Sequence, residues 1–593
     1  MLTAKSVQSI SMDLKDKLLE FAKELIGDGF EFRPYQLETI VQVVENARDN
    51  IKQTVLEAPT GSGKSIIGIL AAYALYKLYG KTSYILASDL SLFAQYENDL
   101  KMMKSDCFGW IKGKENYICN DNGCSVSQAT CALKGASPMK LAKTHLFESC
   151  KHTCEYVKDY ARAASAPITL MTYQLYFIQR NYVEDSLFGG KNVNFPERDF
   201  VICDECHKLC DICQAHFAPK ASIARPNWME TLDKYSNMPA SEDARKYIIN
   251  ELLSSESNKE LLDAVCKYKG FIEHYLDVNE SIRKRLASKK SLSKSDKQAL
   301  NAGNMARQEH CKFEDMVNFV HELEAEDYIV KSVSRSDVTI NFVFDNAMLD
   351  RHFHEKSKCE LLMSATIGDF NEYAKIAGLD YKKFKHISMP STFDFSKSPI
   401  YYATTNRMSY AEKSSSFRSV VAQAASICNV HVEDRGIVQT GSYDNCETLK
   451  RLLPKDILAR CIFYKGSADK SLALRKFMSL GCNPYDNHIL VGPTLIEGLN
   501  FPDNLCRFQI CIKVPFAHLG NEYVKLKKEL IDGWYKYDAL TKVCQGIGRG
   551  VRHPNDWCKT YILDGCIVSL IEDLNKFGAL AGRFAKLDDN YLK

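Results

Sequence analysis

A glycine-rich segment has the residue types and the spacing of a phosphate-binding loop. Residues 57–65 read Glu-Ala-Pro-Thr-Gly-Ser-Gly-Lys-Ser, between Val55-Leu56 and an apolar helical pattern from Ile66 to Leu78. The glycines let backbone amides turn towards an anion, the lysine carries a charge for the outer phosphates, and the last serine offers a hydroxyl to Mg²⁺. The usual pattern opens with glycine where this chain has Ala58, and a chance turn before a helix is the alternative. The predicted nucleoside triphosphate site consists of Pro59, Thr60, Gly61, Ser62, Gly63, Lys64 and Ser65.

Two adjacent carboxylates come after an apolar strand pattern. The run Phe200-Val201-Ile202-Cys203 leads directly into Asp204 and Glu205. Ligands of a parallel sheet lie at the carboxyl ends of its strands, which is also where a phosphate loop lies. Asp204 can therefore hold the Mg²⁺ shell together with Ser65, and Glu205 can orient or deprotonate the attacking water. A surface acidic pair is the alternative, which the position downstream of the loop disfavours.

A third group of polar residues has helical spacing near the end of the sequence. Gln545, Gly548, Arg549 and Arg552 lie at positions i, i+3, i+4 and i+7, so that Gln545 and both arginines share one helix face. Guanidinium groups stay charged and pair with phosphate oxygens in a forked geometry. We therefore predict that Gln545, Arg549 and Arg552 reach the triphosphate; an exposed charged helix is the alternative.

Cysteine is concentrated in one segment of the chain. The chain has 22 cysteines, and those between residues 105 and 156 are Cys107, Cys119, Cys124, Cys131, Cys150 and Cys154. This stretch is rich in Gly and Asn and cannot form a hydrophobic core, whereas soft thiolates select zinc or iron–sulfur clusters. The spacing fits either metal, because Cys150-x3-Cys154 also suits a zinc knuckle. Reduced thiols with one metal site therefore account for the cysteines better than a disulfide framework does.

The elements that must position these groups are short apolar runs that alternate with helical patterns. The predicted strands are Thr54–Leu56, Ser83–Ala87, Ile168–Met171 and Phe200–Cys203 in a first unit, and Gly436–Gln439, Cys461–Phe463, His488–Val491, Gln509–Ile512 and Thr560–Leu563 in a second. Each set indicates a parallel sheet covered by helices, and two such α/β units imply a cleft between them. Two inserts interrupt the first unit: the cysteine-rich residues 105–156 and the helical residues 222–335.

The bulk composition excludes some classes of protein. The 593 residues are 45% hydrophobic and 25% charged, with a net charge of +3, so a surface for nucleic acid must be a local groove. No apolar run approaches the ~18 residues of a membrane span, and the N-terminus lacks a basic region followed by an apolar core. We therefore expect no membrane contact and a location in the cytoplasm of a bacterium or viral host, or in the nucleus of a eukaryote.

These motifs together resemble a known family. The phosphate loop, Asp-Glu-x-His at 204–207, Ser364-Ala365-Thr366 and Gln-x-x-Gly-Arg-x-x-Arg at 545–552 resemble, in this order, those of a superfamily 2 helicase, and the inserts resemble those of its XPD/DinG iron–sulfur group. The resemblance covers Phe32 to Leu563. It implies an α/β fold of two RecA-like parallel-sheet motor domains, with an iron–sulfur insert and a helical arch insert in the first. The implied boundaries are 1–104, 157–221 and 336–389 for motor domain 1, 105–156 for the cluster insert, 222–335 for the arch and 390–593 for motor domain 2.

The resemblance also implies roles for individual residues. Arg33 and Gln36 match the element that reads adenine. Gly498 and Asn500, in Glu497-Gly498-Leu499-Asn500-Phe501, match the motif that links strand contact to ATP, although family members commonly have Asp at the position of Asn500. The implied contacts to a single strand are Ser91, Thr172 and Tyr173 in the first motor domain and Thr440, Ser442 and Thr494 in the second.

Within the cysteine-rich insert, the resemblance distinguishes between the two metals. Residues 113–119 resemble the family's entry to the first cluster ligand, and Cys154-Glu155-Tyr156 resembles the exit after the last. The implied ligands of a 4Fe–4S cluster are Cys119, Cys131, Cys150 and Cys154, and Cys124 competes with Cys131 for the second place. ATP, Mg²⁺ and this cluster are the implied cofactors.

The implied function is that of an ATP-dependent DNA helicase in replication or repair. It would move 5′ to 3′ along single-stranded DNA, as a monomer, on forked or tailed duplexes, with an RNA–DNA hybrid as a further candidate substrate. A translocase that displaces proteins or R-loops without processive unwinding is the first alternative. A motor-linked nuclease is the second, which the short segment before Phe32 and the lack of an acidic cluster apart from Asp204-Glu205 disfavour.

Overall fold

A computed structural model of the chain describes most of its residues. The described ranges are 4–120, 123–133, 153–182, 195–237, 242–289, 292–380, 383–391, 394–464, 467–480, 486–493, 501, 503–547, 551, 556–577 and 580–587. The predicted site residues outside these ranges are Cys150, Thr494, Gly498, Asn500, Arg549 and Arg552.

The described residues alternate between strands and helices along most of the chain. The strands are β1 (Gln53–Glu57), β2 (Ser83–Ala87), β3 (Phe108–Trp110), β4 (Ile168–Thr172), β5 (Phe200–Asp204), β6 (Lys220–Ser222), β7 (Ile329–Val333), β8 (Asp337–Phe342), β9 (Cys359–Ser364), β10 (Lys385–Ser388), β11 (Ile400–Tyr402), β12 (Gly436–Gln439), β13 (Cys461–Phe463), β14 (Ile489–Gly492), β15 (Phe508–Cys511), β16 (Lys559–Ile562) and β17 (Phe584–Lys586). The α-helices are Ala4–Leu25, Gln36–Arg48, Lys64–Tyr79, Leu90–Met102, Thr130–Leu133, Glu155–Ser165, Tyr173–Phe177, Leu209–Phe217, Asn227–Ser236, Glu242–Ser254, Asn258–Ala287, Lys294–Glu322, Asp345–His352, Phe370–Ile376, Lys413–Val430, Tyr443–Leu452, Lys455–Arg460, Ser467–Leu480, Glu522–Leu530, Trp534–Ile547 and Ile571–Leu574. No helix in the described part of the chain combines the length and the apolar character that a bilayer span requires.

The first sheet brings three distant chain segments to one edge. Its seven parallel strands have the order β10-β1-β9-β5-β2-β4-β3. The central strands are buried along their whole length because helices cover both faces of the sheet. In the register of the sheet, Glu57 at the end of β1 is opposite Ser364 at the end of β9, and Asp204 of β5 is opposite Met363. The phosphate loop, the carboxylate pair and the Ser-Ala-Thr segment therefore start from adjacent strand ends.

The second sheet also has seven parallel strands, in the order β13-β14-β12-β15-β16-β11-β17. The prediction of two RecA-like parallel-sheet domains is thereby confirmed. The strands β12 and β13 have the predicted bounds, while β14, β15 and β16 are displaced by one residue from the predicted runs. Several strands have no counterpart in the prediction, among them the buried β9 at the centre of the first sheet and β11 in the second sheet. The first sheet and its helices form the first lobe. The second sheet, which begins with β11, and its helices form the second lobe.

A helical layer projects from the first lobe between β6 and β7. Its two long helices, Asn258–Ala287 and Lys294–Glu322, each begin at a serine that accepts a hydrogen bond from the backbone three residues later. The helices approach closely, since a Cβ on Gly303 would come within 1.9 Å of Asn279 Oδ1. A three-stranded antiparallel sheet, β6-β8-β7, lies at the base of this layer.

A buried ion pair joins the two lobes beside this layer. Lys527, on helix Glu522–Leu530 of the second lobe, donates through Nζ to Asp345 at the start of helix Asp345–His352. The two residues are 1% and 2% exposed. The Tyr523 hydroxyl donates to the other carboxylate oxygen of Asp345 at 2.8 Å, and the Lys527 ammonium lies 4.5 Å from the ring centroid of Trp534. The cluster therefore satisfies both charges without water.

We expect Asp345→Ala to destabilise the protein by about 3–5 kcal/mol, because it leaves the Lys527 charge buried without its carboxylate. The double variant Asp345→Ala/Lys527→Met removes both charges and should lose less stability than Asp345→Ala and Lys527→Met added together. Chemical denaturation of the three variants, followed by circular dichroism, checks this. Lys17→Ala, which breaks the exposed 2.9 Å pair with Glu20, is the control and should leave the midpoint unchanged. Additive effects of the two buried substitutions would contradict the account.

Candidate nucleotide site between the two lobes

The phosphate loop adopts the conformation that its glycines permit. The N–H of Ala58 donates to the carbonyl of Ser364 at 2.9 Å, which ties the start of the loop to the end of β9. Gly61 and Gly63 have φ angles of +82° and +79°, in the left-handed region that favours glycine. Helix Lys64–Tyr79 begins directly after Gly63, so its free N-terminal amides face the loop. This arrangement suits an anion such as a phosphate group.

Gln36 supports the loop from behind. Its side chain is 2% exposed; Oε1 accepts from the N–H of Arg33 at 3.1 Å, and Nε2 donates to the carbonyls of Ser62 and Gly63, both at 3.2 Å. A Cβ on Gly63 would come within 2.4 Å of this Nε2. The amide group of Gln36 is thus occupied by the loop backbone, whereas Arg33, which donates to the carbonyl of Gly61, lines the cavity next to the loop.

The carboxylate pair lies at the end of β5, facing the loop. Asp204 is 2% exposed; its Oδ2 accepts from the Tyr96 hydroxyl and its Oδ1 from the N–H of Glu205, both at 2.9 Å. Burial and the neighbouring charge of Glu205 raise the pKa of Asp204 to about 6, although the charge of Lys64 opposes this. Tyr96 therefore fixes the carboxylate of Asp204, which is predicted to hold Mg²⁺, as outer-shell partners of metal ligands do.

A histidine connects the carboxylates with the Ser-Ala-Thr segment. His207 Nδ1 lies 2.7 Å from Ser364 Oγ and 3.4 Å from Glu205 Oε2. Ser364 Oγ in turn accepts from the N–H of Thr366 at 3.1 Å. Glu205 itself has φ +56°, a left-handed conformation that is costly for a residue with a Cβ and is most often found at functional sites. Glu205 thus lies beside His207, which connects it with Ser364 at the end of β9.

Both lobes line one cavity of about 590 Å³. From the first lobe, the lining includes Lys64, Ser65, Asp204 and Glu205. From the second lobe it includes Gln545, on helix Trp534–Ile547. The structure thereby brings together the phosphate loop, the carboxylates and the first residue of the predicted helix face. Arg549 and Arg552 follow Gln545 in sequence but lie outside the described residues.

The second lobe also contacts the two residues directly after the Ser-Ala-Thr segment. The Tyr537 hydroxyl donates to the carbonyl of Ile367 at 2.8 Å, and the ring of Phe577 fills the space where a Cβ of Gly368 would lie. On the other side, the N–H groups of Ile367 and Gly368 donate to Oε1 of the buried Glu57 at 3.1 and 2.9 Å. Glu57, at the start of the phosphate loop, and helix Trp534–Ile547 of the second lobe therefore both contact residues 367–368.

Comparisons with protein families agree with this arrangement. A model of the helicase C-terminal domain matches residues 425–569, and a model of the res subunit of type III restriction enzymes matches residues 29–235. The ATP-dependent DNA helicase XPD of Sulfolobus acidocaldarius is 21% identical over 592 residues, which cover 91% of this chain and 97% of that protein. These similarities support the resemblance to the XPD/DinG group of superfamily 2 helicases.

Other relatives match over shorter stretches or in fold alone. The ATP-dependent DNA helicase CHL1 of Saccharomyces cerevisiae is 33% identical over 93 residues, 13% of this chain. The aligned parts span only 11% of this CHL1 protein and 12% of that of Kluyveromyces lactis. A solved XPD helicase structure superposes with a TM-score of 0.58 at 16% identity, covering 94% of this chain and all of the other. Xpd4 of S. tokodaii gives 0.55 at 14% identity with the same coverage of this chain.

The described candidates for contact with a single strand differ in accessibility. Ser91 is exposed and lines the cavity. Thr172 and Ser442 each cap a helix by accepting a backbone hydrogen bond. Tyr173 and Thr440 are 0% exposed; the Tyr173 hydroxyl donates to the carbonyl of Asp204 at 3.0 Å, and Thr440 Oγ1 donates to the carbonyl of Ser442 at 3.0 Å. The side chains of Tyr173 and Thr440 thus support the first and second lobes internally, and a strand could meet only their backbone.

The described cysteines of the insert lie at the border of the first lobe. Cys119, Cys124, Cys131 and Cys154 are all half-buried, and Cys119 and Cys154 pack against the core. The N–H of Cys119 donates to the carbonyl of Cys124 at 2.7 Å. Within the described ranges, no three His, Cys, Asp or Glu side chains are grouped as metal ligands would be. The thiols suit a soft metal in their chemistry, and the cluster stays a prediction because Cys150 lies outside the described residues.

Tyr96, Glu57 and Tyr537 are parts of the site that the sequence reasoning missed. Tyr96 and Tyr537 have the helical spacing of ordinary core aromatics, and Glu57 was assigned only as the start of the loop. No spacing signal distinguishes them, because their partners come from other strands and from the other lobe.

We expect Tyr96→Phe to raise the Mg²⁺ concentration needed for half-maximal nucleotide binding by roughly 10-fold, since outer-shell partners typically contribute 10–100-fold to metal affinity. A Mg²⁺ titration with a fluorescent ATP analogue measures this. Tyr84→Phe is the matched control, because the hydroxyl of buried Tyr84 donates to the carbonyl of Pro196, away from the site. Equal shifts in both variants would refute the role of Tyr96.

Proposed function

We propose that this protein is an ATP-dependent DNA helicase that translocates 5′ to 3′ on single-stranded DNA in replication or repair. The observation that carries the proposal is the single cavity lined by Lys64 and Asp204 of one lobe and Gln545 of the other. The relatives CHL1 and XPD are both described as ATP-dependent DNA helicases, which supports DNA as the polymer. Forked or tailed duplexes are the proposed substrates, with RNA–DNA hybrids as a further one.

The first lobe binds the triphosphate. The loop amides and the N-terminus of helix Lys64–Tyr79 surround the β-phosphate, and the Lys64 ammonium contacts the outer phosphates. Ser65 and Asp204 would hold Mg²⁺, which supplies positive charge to the phosphate oxygens. The proposed attacking water is oriented by Glu205, which His207 holds towards Ser364 at the next strand end. The proton of this water is accepted by the Glu205 carboxylate.

The second lobe completes the site when the cleft closes. Gln545 lies at the cavity already, and Arg549 and Arg552 are proposed to stabilise the charge that develops on the leaving phosphates. Loss of the γ-phosphate removes the group that both lobes bind, so the cleft can open again. Tyr537 and Phe577 transmit this movement to residues 367–368 of the first lobe.

Repeated closure moves the protein along a strand if each lobe grips the phosphate backbone in turn. The proposed contacts are Ser91 and the strand ends at Thr172 and Tyr173 in the first lobe, and Thr440, Ser442 and Thr494 in the second. Because such contacts go to phosphates, strand affinity falls with salt concentration. The cluster-bearing and helical inserts are proposed to flank the strand where the duplex opens.

Glu205→Gln should lower kcat for ATP hydrolysis by about 10²–10⁴-fold, because it removes the proton acceptor while keeping the shape of the side chain. Nucleotide affinity should stay within about 2-fold, since the loop contacts are unchanged. The control is Glu20→Gln, whose side chain is 64% exposed on the first helix. Retained hydrolysis in Glu205→Gln would remove the proposed base.

The polarity is tested on duplexes with either a 5′ or a 3′ single-stranded tail. The wild type should displace a strand only from the 5′-tailed duplex, and Glu205→Gln from neither. ATP hydrolysis stimulated by single-stranded DNA, without displacement of any duplex but with removal of a bound protein, would favour the translocase instead.

The cysteine-rich insert is proposed to bind a 4Fe–4S cluster through Cys119, Cys131, Cys150 and Cys154. Protein purified without oxygen should then be brown and contain about four iron and four sulfide per chain. Cys154→Ser should lose the iron, whereas Cys107→Ser, which changes a half-buried thiol outside the proposed set, should retain it. Colourless protein that contains zinc would overturn the assignment, and iron lost in Cys124→Ser but kept in Cys131→Ser would exchange the second ligand.

A further inference from the structure

The cavity between the lobes has two chemically different walls. The first-lobe wall carries the groups that suit phosphates, among them Lys64, Ser65 and Asp204. The second-lobe wall contains Ser398, Gln545 and Arg583 but is otherwise apolar, with Phe395, Cys544, Ile547, Val551, Phe577 and Leu580. A nucleoside triphosphate has the same division, because its phosphates are charged and its base is flat and mainly apolar. In the proposed hydrolysis, no part of the nucleotide is assigned to these apolar side chains.

Gln36, one of the two residues predicted to read the base, is already engaged elsewhere, whereas Arg33 lines the cavity. Both polar atoms of the Gln36 side-chain amide are hydrogen-bonded to the backbone of residues 33, 62 and 63, and the residue is 2% exposed. Reading the edge of a base with this amide would require the phosphate loop to lose its support. A base can still be held through its face, which needs an aromatic or guanidinium plane and no free hydrogen-bonding group.

Such a plane is present on the second-lobe wall. Phe395, in the short turn Phe395–Lys397 before β11, is half-buried and lines the cavity. The guanidinium carbon of Arg583 lies 5.4 Å from the centroid of its ring, and Arg583 lines the same cavity. An aromatic ring stacked on a guanidinium forms a broad, rigid surface with a positive charge behind it.

The backbone fixes this pair in place. Arg583 Nε donates to the carbonyl of Ser398 at 2.9 Å, and the carbonyl of Arg583 accepts from the N–H of Ile400 at 3.0 Å. The strands on either side, β11 and β17, are paired in parallel. Burial lowers the pKa of Arg583 to about 10, so the guanidinium stays charged at neutral pH. The pair therefore moves with the second sheet as one body.

We propose that Phe395 and Arg583 stack the base of the bound nucleotide, so that the base is held by the second lobe while the phosphates are held by the first. This inference rests on the proposed function, since it concerns the same nucleotide. It explains how an intact nucleotide can draw the lobes together: the molecule itself spans the cleft. The contribution of the base to ATP affinity then depends on closure of the cleft, whereas the contribution of the phosphates depends on the phosphate loop alone.

The test compares Mg²⁺–ATP with inorganic tripolyphosphate, which has the phosphates but no base. Stacking on an aromatic side chain is lost on substitution by alanine, so Phe395→Ala should weaken ATP binding by about 10-fold. It should leave the affinity for tripolyphosphate within about 2-fold, which also shows that the variant is folded at the loop. Phe395→Tyr should keep both affinities, and Arg583→Ala should weaken ATP more than tripolyphosphate. Tyr410→Ala, which removes an aromatic side chain that is 98% exposed, is the control and should change neither.

Two outcomes would contradict the stacking of the base on Phe395 and Arg583, which we call the base platform, without contradicting the nucleotide site. These are unchanged ATP affinity in Phe395→Ala, and equal loss of ATP and tripolyphosphate in that variant. Lys64→Ala distinguishes loss of phosphate binding from loss of base stacking, because it should weaken the binding of both ATP and tripolyphosphate through their phosphates. If the wild type bound neither ATP nor tripolyphosphate, the proposed function would fail and the platform with it.

Discussion

A nucleotide can move two lobes relative to each other only if both lobes contact it, and this requirement governs the rest of the structure. The first sheet places Lys64, Asp204 and Ser364 at adjacent strand ends, and the helix that carries Gln545 lies across the same cavity. Parallel strands are needed for this, because only then do the loops after β1, β5 and β9 emerge at one edge. The connections between these strands can be long, and both inserts lie within them without disturbing the edge.

The contacts between the lobes are of two kinds, and they are expected to respond differently to nucleotide. The Lys527–Asp345 pair is buried and lies beside the helical layer, so breaking it is costly. The contacts of Tyr537 and Phe577 with residues 367–368 are a single hydrogen bond and a ring against a glycine.

The site could be predicted from sequence where the chemistry is local. The phosphate loop depends on glycines at fixed positions, and the carboxylates depend on an apolar strand directly before them, so both are readable from neighbouring residues. Tyr96 could not be found in this way, because its hydroxyl meets Asp204 only after helix Leu90–Met102 packs against the sheet. Gln36 shows the opposite case: its place near the loop was expected, but its amide supports the loop backbone and does not face the cavity. The bounds of strands such as β14 and β16 were displaced by one residue because hydrogen bonding with neighbouring strands sets where a strand ends.

Departures from ordinary folding rules concentrate at this edge. Glu205 has a left-handed backbone, Asp204 is a carboxylate with almost no exposure, and the buried hydroxyl oxygen of Ser62 has no hydrogen-bond partner among the described residues. Each departure costs stability, and together they indicate a surface built to receive a charged ligand.

The most direct test is an experimental structure of the protein with Mg²⁺, ADP and beryllium fluoride. The account predicts that Lys64 of the first lobe and at least one polar side chain of helix Trp534–Ile547 or the residues after it contact the same phosphate mimic. A nucleotide bound by the first lobe alone, with the second lobe's helix directed away from it, would contradict the account.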